Sequence, residues 1–209
     1  MHDLVVFSHL RWDFVYQRPQ HLLSRLARDR RVFFVEEPVH ATGLAGMNAT
    51  SPCPGVTVLQ PHTPVAAAGF VDEQLSVIEP MLREAFHAHG VQHAVTWFYT
   101  PMALPLLTAV PAIAVVYDCM DELSAFNFAP TQLLQREAAL LQCARLVFTG
   151  GPSLYDSKKS RHPNVLCFPS AVDAAHFTPV PGLVDVSDIA HPRLGFFGVI
   201  DERLDIGLI

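Results

Sequence analysis

A polar and aromatic segment follows the first apolar run of the chain and carries residue types that bind anions. The apolar run is Leu4–Phe7, and the segment Ser8–His21 after it reads Ser-His-Leu-Arg-Trp-Asp-Phe-Val-Tyr-Gln-Arg-Pro-Gln-His. Pro19 suits the first turn of a helix, where its missing N–H costs no hydrogen bond. The free N–H groups of Gln20 and His21, at the positive end of the helix dipole, would then face a phosphate or a carboxylate. The alternative is an ordinary turn whose polar residues only cap the helix.

Four side chains of this segment suit a ligand that combines a phosphate with a ring. Arg11 and Arg18 can each supply a charge-assisted hydrogen bond to phosphate, and their alternative is a solvated surface position. Trp12 and Tyr16 can stack on a sugar or a base, or can act as hydrophobic staples at the helix start. With Gln17, Gln20 and His21 they form the predicted binding set of the first turn.

Two carboxylates and a glycine turn follow later predicted strands. Asp118 and Asp121 come just past the strand Ala112–Tyr117, at the sheet edge where crevice residues belong. A carboxylate there can bind sugar hydroxyls or orient an attacking oxygen, or it can cap the next turn. Backbone N–H groups of a second strand-to-helix turn can meet a phosphate or an acceptor, although Gly-Gly-Pro is also a common turn. The candidates in that turn are Gly150, Gly151 and Ser153.

Other chemistries have weaker support in the sequence. Glu36 and Glu37 end the second strand, where an acid contacts ribose in dinucleotide-binding proteins, but the glycine fingerprint is absent from the first turn. His87, His89 and His93 lack the spacing and the partner ligands of a metal site. No Gly-x-Ser-x-Gly elbow and no Walker loop occur. We therefore expect no metal and no bound cofactor.

Composition favours a globular cytoplasmic protein. Of 209 residues, 50% are hydrophobic and 16% are charged, so a sizeable core is available. The net charge is −6 and the 14 Lys and Arg form no long run, which disfavours nucleic acid as a partner. We expect neither a signal peptide nor a transmembrane segment. Four scattered cysteines without CxxC spacing suit a reduced compartment.

Strands alternate with helices along most of the chain, which predicts an α/β fold with a Rossmann-like, doubly wound parallel sheet. Residues 38–55 read as a loop, and Pro80 predicts a kink or two helices in the apolar stripe from Val71 to Phe86. The predicted strands are Leu4–Phe7, Arg31–Glu36, Val56–Leu59, His93–Tyr99, Ala112–Tyr117, Arg145–Thr149 and Asn164–Phe168.

The same pattern predicts three segments of the chain. Residues 1–178 form the Rossmann-like domain, and the Pro-rich residues 179–192 form a linker. Arg193–Gly198 reads as a fresh strand followed by a glycine turn, so we expect residues 193–209 to begin a second domain.

Six motifs in order resemble the amino-terminal half of GT-B glycosyltransferases of the family 4 type. Within that family, the subgroup most similar acts in bacterial cell-surface polysaccharide assembly and includes teichuronic-acid-type transferases. The motifs lie in Trp12–Leu22, Phe34–Pro38, Tyr117–Glu122, Phe148–Tyr155, Asn164–Asp173 and Gly195–Arg203.

The resemblance implies two Rossmann-like domains that face each other across a cleft, with the acceptor on the first and a nucleotide-sugar donor on the second. It implies transfer with retained configuration to a glycan or lipid-linked acceptor, without a metal. The Arg11–His21 segment would lie over the donor diphosphate, and Arg203 would contact it. Asp118 and Asp121 would face the transferred sugar and the acceptor hydroxyl. A lipid-linked acceptor would place the protein at the inner face of the plasma membrane.

One family motif is missing from these residues. The acidic E-x7-E pair that binds the donor does not occur, so we expect the 209 residues alone to lack the donor site and to be inactive. Two alternatives remain at this point, a noncatalytic Rossmann-like binding module and a GT-B sugar-nucleotide epimerase.

Overall fold

Hydrophobic strands and amphipathic helices alternate along the chain, as the sequence pattern predicts. A computed structural model describes residues 2–127, 129–178, 189–193, 195, 196, 198, 200 and 204–208. The strands are β1 Asp3–Ser8, β2 Val32–Glu36, β3 Val39–His40, β4 Gly46–Cys53, β5 Val56–Thr63, β6 Ala94–Phe98, β7 Ala112–Cys119, β8 Leu146–Thr149 and β9 Val165–Cys167. The α-helices are α1 Arg18–Leu26, α2 Asp72–Ala88, α3 Leu133–Cys143 and α4 Pro152–Lys158, and 3-10 helices span Pro101–Ala109 and Leu123–Ala125.

The described strands form one sheet that is parallel except for β4. Its order is β5-β2-β1-β6-β7-β8-β9, and β3 also pairs with β5 in parallel while β4 pairs with it antiparallel. Because β1 lies between β2 and β6, the chain winds outward in both directions from its first strand. The predicted α/β, Rossmann-like doubly wound sheet is confirmed. In such sheets the ligand crevice opens at the carboxyl ends of the strands where the winding reverses, here between β1 and β6.

Each face of the sheet packs against its own hydrophobic cluster. Helix α2 buries Ile78, Leu82 and Phe86 on one face. Helix α1 buries Leu23 and Ala27 on the other. These positions follow the 3.6-residue helical period, so both helices can be predicted from the sequence.

Two local predictions differ from the structure, and a third is narrowed to one of its alternatives. Residues 38–55, predicted as a loop, contain β3 and β4, and most of β4 is exposed on both faces, so it has no hydrophobic alternation to recognise. Of the two alternatives predicted at Pro80, two separate helices do not form, because α2 is one continuous helix through this residue. Strand β7 continues to Cys119, so Asp118 lies within the strand and not past it.

The chain divides into two units, Met1–Ser170 and Ala171–Ile209. The first contains the sheet. In the described residues of the second there is no helix or strand, and a turn forms where Phe177 donates its N–H to the carbonyl of Asp173. The strand predicted over Arg193–Gly198 includes Leu194 and Phe197, which lie outside the described residues.

Candidate functional site

A buried ion pair lies at the carboxyl edge of the sheet. Arg18, the first residue of α1, donates from Nε and Nη2 to the two carboxylate oxygens of Asp118 in β7, at 3.1 and 2.9 Å. Its remaining Nη1 donates to the carbonyl of Phe168 at 2.6 Å. Asp118 has no exposed surface, and the Arg18 side chain is 12% exposed. This fork-shaped pair therefore ties the start of α1 to the ends of β7 and β9.

Two further donors approach the Asp118 carboxylate. The Tyr99 hydroxyl and the Trp97 indole N–H are buried, and neither completes a hydrogen bond with a described residue. Burial raises the pKa of Asp118, and the hydrogen bonds from Arg18 oppose that rise. Burial and then the charge of Asp118 raise the pKa of Tyr99 well above its ordinary value. Among the described residues, Asp118 is thus a buried anion that is paired with one cation, Arg18, and approached by two polar groups.

An aromatic row runs along the same sheet face beside the ion pair. Phe148 stacks on Trp97 with ring centroids 5.3 Å apart, and Phe168 meets Phe148 edge-on at 5.3 Å. Phe168 is 53% exposed, and its backbone carbonyl accepts from Arg18, so an exposed aromatic residue follows β9 at this edge of the sheet. Sequence reasoning did not select these rings, because alternating aromatics in strands usually indicate core. Exposure at a strand end is what distinguishes Phe168.

His9 is a second residue that sequence reasoning did not select. It directly follows β1 at the winding reversal, and its Nδ1 is buried with no hydrogen-bond partner among the described residues. Burial lowers the pKa of His9, and the negative charge of Asp121 opposes that effect. The structure therefore brings Asp121 into the electrostatic reach of an imidazole at the crevice, a pairing typical of proton-handling sites.

Arg11 and Trp12, both predicted to bind ligand, contact the protein itself. Arg11 pairs with Glu36 at 3.2 Å and donates to the backbone carbonyls of Glu37 and Pro38. Trp12 is 8% exposed, packs edge-on against Phe34 at 5.2 Å, and donates its backbone N–H to Glu36 at 2.7 Å. These contacts anchor the loop after β1 to the end of β2.

The buried side chain of Gln20 holds the same loop together through hydrogen bonds to its backbone. Its side chain is fully buried, and its Nε2 donates to the carbonyls of Trp12 at 2.7 Å and Val15 at 2.9 Å. Its Oε1 accepts the backbone N–H of Gln17 at 3.1 Å, which caps the start of α1. Both polar atoms of the amide are therefore used by the loop.

The tip of this loop presents aromatic side chains to solvent. Phe14 is 68% exposed and Tyr16 is 61% exposed. Tyr16 meets the ring of His21 edge-on at 4.5 Å, and its hydroxyl lies 3.4 Å from Ser24 Oγ. Tyr16 and His21 thus lie together on the solvent side of α1, while the Arg18 guanidinium turns inward to Asp118.

Glu37 carries a titratable carboxyl beside the loop. Burial raises the pKa of Glu37 to about 7, and the charge of Arg11 opposes that rise. A Cβ added to Gly69 would lie 3.3 Å from Glu37 Oε1, so a glycine with φ +76° packs over this carboxyl. Because the folded-state pKa is raised, proton uptake by Glu37 near neutral pH stabilises the fold as the pH falls.

The second predicted turn packs closely on the loop that carries Asp121. Gly150 donates its N–H to Cys119 at 2.9 Å. Gly151 caps α4 with extended backbone, and Ser153 is exposed in the first turn of that seven-residue helix. Arg203, predicted as a diphosphate contact, lies outside the described residues.

Replacing Gly150 with alanine is expected to lower the free energy of unfolding by about 1–3 kcal/mol. The added Cβ would lie 2.9 Å from the Met120 carbonyl oxygen and 3.1 Å from Met120 Cα, and backbone atoms cannot turn away as a flexible side chain would. Gly151→Ala is the matched control, since nothing lies within 4 Å of its added Cβ. Urea unfolding of both variants checks this, and equal losses of stability would contradict it.

The described residues contain neither a helix that could span a membrane nor a cluster that could bind a metal ion. No helix among them combines the length and apolar character that crossing a bilayer requires. They also contain no group of three or more His, Cys, Asp or Glu arranged to hold a metal ion.

Comparison with known proteins bears on the fold. No family model matches the sequence, and no curated protein matches it. Sucrose-phosphate synthase from Thermosynechococcus elongatus is structurally similar, with a TM-score of 0.58, 13% identity, and coverage of 86% of this chain and 51% of that one. A shorter form of that protein gives a TM-score of 0.54 at 10% identity, covering 82% of this chain and 91% of that one.

A third similar structure is the E. coli trehalose-6-phosphate synthase bound with UDP-2-fluoro glucose. Its TM-score is 0.50 at 10% identity, covering 86% of this chain and 52% of that one. The chain thus spans about half the length of two of these proteins. Its architecture is the Rossmann-like α/β fold found in GT-B glycosyltransferases.

Proposed function

We propose that this chain is the acceptor-side half of a GT-B glycosyltransferase. It would act with a donor-binding half to transfer a sugar from a nucleotide-sugar to a glycan or lipid-linked acceptor, with retention of configuration, in cell-surface polysaccharide synthesis. The observation that carries the proposal is the Arg18–Asp118 pair, which lies at the carboxyl edge of a GT-B-like sheet and is bonded to the backbone of the exposed residue Phe168. A cation, a carboxylate and an apolar ring are the groups that bind a phosphorylated sugar.

The role proposed for each side chain follows from its burial and its contacts. Arg18 would position the turn before α1, because Asp118 and the Phe168 carbonyl already hold its guanidinium in one orientation. Asp121, near His9, is the carboxylate that would orient or deprotonate the acceptor hydroxyl. Phe168 would pack against a sugar ring, as aromatic side chains do with apolar ring faces.

The proposal includes a cellular setting. It needs no metal and no cofactor, because the nucleotide-sugar is a substrate. A cytoplasmic protein attached peripherally to the inner face of the plasma membrane would reach a lipid-linked acceptor. The exposed Phe14 supplies an apolar ring and the exposed Tyr16 an amphipathic one, both of kinds found at membrane interfaces.

A transfer assay on the full-length protein that contains this chain tests the proposal. The protein is mixed with a broad panel of UDP-, GDP- and ADP-sugars and with glycan and lipid-linked acceptors, and NMR follows the anomeric configuration of the product. We expect retained configuration, and a fall in kcat of roughly 100-fold in Asp121→Asn. Asp156→Asn, an exposed carboxylate on α4, is the matched control and should leave kcat unchanged.

Three results would overturn the proposal. Product that forms without an acceptor would indicate an epimerase. Saturable ligand binding without turnover would indicate a binding module. Absence of both sugar transfer and donor hydrolysis across the whole panel would exclude the transferase itself.

A further inference from the structure

A polar cleft lies at the opposite edge of the sheet from the candidate site, where the strands begin. Its volume is about 400 Å³. It is formed by the starts of β1 and β6 and by the turns that precede β2 and β6. Its lining residues are His2, Asp3, Asp29, Arg30, Arg31, Gly90, Gln92 and His93.

One of the two arginines in this cleft, Arg31, is already paired within the protein. Arg31 donates from Nε and Nη2 to the two carboxylate oxygens of Asp3, at 2.8 and 2.6 Å. Its Nη1 donates to the carbonyl of His89 at 2.7 Å. Asp3 is therefore neutralised by Arg31 and leaves no carboxylate oxygen without a cation beside it.

The neighbouring arginine, Arg30, differs in that its Nε has no acceptor among the described residues. Arg30 is partly buried, and its Nε is a buried donor with no hydrogen-bond partner. Within the part of the chain that the structure describes, no hydrogen bond or ion pair reaches its guanidinium. The Nε–H is costly in this position, because this buried donor has left water without gaining a partner among the described residues. An oxyanion in the cleft would satisfy the guanidinium with two parallel hydrogen bonds.

The remaining lining groups suit such an anion. His2 and His93 meet edge-on with ring centroids 6.3 Å apart, so two imidazoles border the cleft beside Arg30. Gln92 adds an amide donor. The second carboxylate, Asp29, is exposed and forms no ion pair with Arg30, so it is free to accept hydroxyl hydrogens from the uncharged part of a ligand.

We propose that this cleft is a binding site for a small oxyanion-bearing metabolite, either a phosphate ester or a carboxylate, whose charged end is held by the Arg30 guanidinium. The site is separate from the Arg18–Asp118 edge, so the proposal does not depend on glycosyl transfer. A ligand held here would bridge β1, β6 and the turn after α1, and it would stabilise the folded protein by mass action.

Titration followed by NMR of the arginine Nε–Hε and histidine ring signals tests this proposal. The probes are inorganic phosphate, glycerol 3-phosphate and succinate, at constant ionic strength. We expect saturable shifts of Arg30, His2 and His93, and in Arg30→Gln a loss of affinity of roughly 10- to 100-fold. The phosphate and succinate arms decide which of the two anion types is bound.

Two further variants keep the test decisive. Arg28→Gln removes an exposed arginine two residues away that does not line the cleft, and it should change the affinity less than twofold. Arg30→Lys keeps the charge and removes the planar fork, so it should bind more weakly than the unaltered protein even if Arg30→Gln fails to fold. Shifts that grow linearly without saturation, equal losses in Arg28→Gln and Arg30→Gln, or unaltered affinity in Arg30→Lys would each overturn the proposal.

Discussion

Arg18→Met is expected to lower the free energy of unfolding by about 3–5 kcal/mol at neutral pH. The reason is the Asp118 carboxylate, which has no exposed surface and receives both of its charge-assisted hydrogen bonds from Arg18. Methionine keeps the unbranched stem of arginine but leaves that charge buried without a cation. The Phe168 carbonyl loses its bond to Nη1 at the same time. Urea unfolding followed by circular dichroism measures the loss.

The pH dependence of this loss is a second readout. Burial already raises the pKa of Asp118 above 3.8 with Arg18 present, and removal of the guanidinium raises it further. The folded variant then binds a proton at a pH where the unfolded chain does not, so its stability rises as the pH falls towards 3.8. The difference between the variant and the unaltered protein should therefore shrink in acid. Arg28→Met, at an exposed position just after the same helix, should cost less than about 0.5 kcal/mol. A loss that is equal for the two arginines, or that is independent of pH, would contradict the assigned role.

Lys158→Met is expected to cost about 3 kcal/mol, the lower end of the range for breaking a buried ion pair. Lys158 is 2% exposed, and its Nζ lies 2.7 Å from a carboxylate oxygen of Glu137 and 2.9 Å from one of Glu122. Arg161 remains 2.8 Å from Glu137 in the variant, which limits the loss. The Tyr117 hydroxyl also donates to Glu137 at 3.0 Å, so β7 and α3 are linked through the same carboxylate.

The adjacent lysine is a matched control for this prediction. Lys159 is 53% exposed and pairs with the exposed Asp156, so Lys159→Met should change stability by less than about 0.5 kcal/mol.

Burial acts to raise the pKa of Glu137, but the hydrogen bonds of Lys158 and Arg161 outweigh it and the pKa is lowered. The stabilisation is therefore present above pH 4.5 and is lost as the pH falls through the lowered pKa. Thermal unfolding between pH 3 and 7 should show this acid loss, and a weaker one in Lys158→Met. Equal effects of the two lysine substitutions would refute the assignment.

The Lys158 network also bears on the candidate site. Glu122 lies in the loop that directly follows Asp121, so its bond to Lys158 holds that loop against α4. The close approach of Gly150 to Met120 secures the same loop from the other side. Two independent contacts therefore fix the position of Asp121 relative to the end of β8.

The sequence by itself determined the fold class and the edge of the sheet that carries the candidate site. Continuous apolar runs such as Val32–Val35 indicate strands buried on both faces, and the 3.6-residue period around Leu23 indicates a helix that packs on them. Both signals are local, so they can be read without knowing any long-range contact. Polar residues that follow such strands must lie at one edge, which placed Arg18 and Asp118 near the crevice.

Only the tertiary structure decided what each of these polar side chains contacts. Arg18 and Asp118 are 100 residues apart in the sequence, and their pairing depends on β1 and β7 lying on either side of β6. The same sheet order turns Arg11 towards Glu36 and buries Trp12 on Phe34, whereas their residue types alone suit a ligand equally well. The Nε of Arg30, which has no partner among the described residues, could not be predicted either, because whether a donor finds an acceptor depends on the surfaces that fold around it. Hydrophobic periodicity specifies which face of an element is buried, but the partners of a polar group are set by the packing of distant elements.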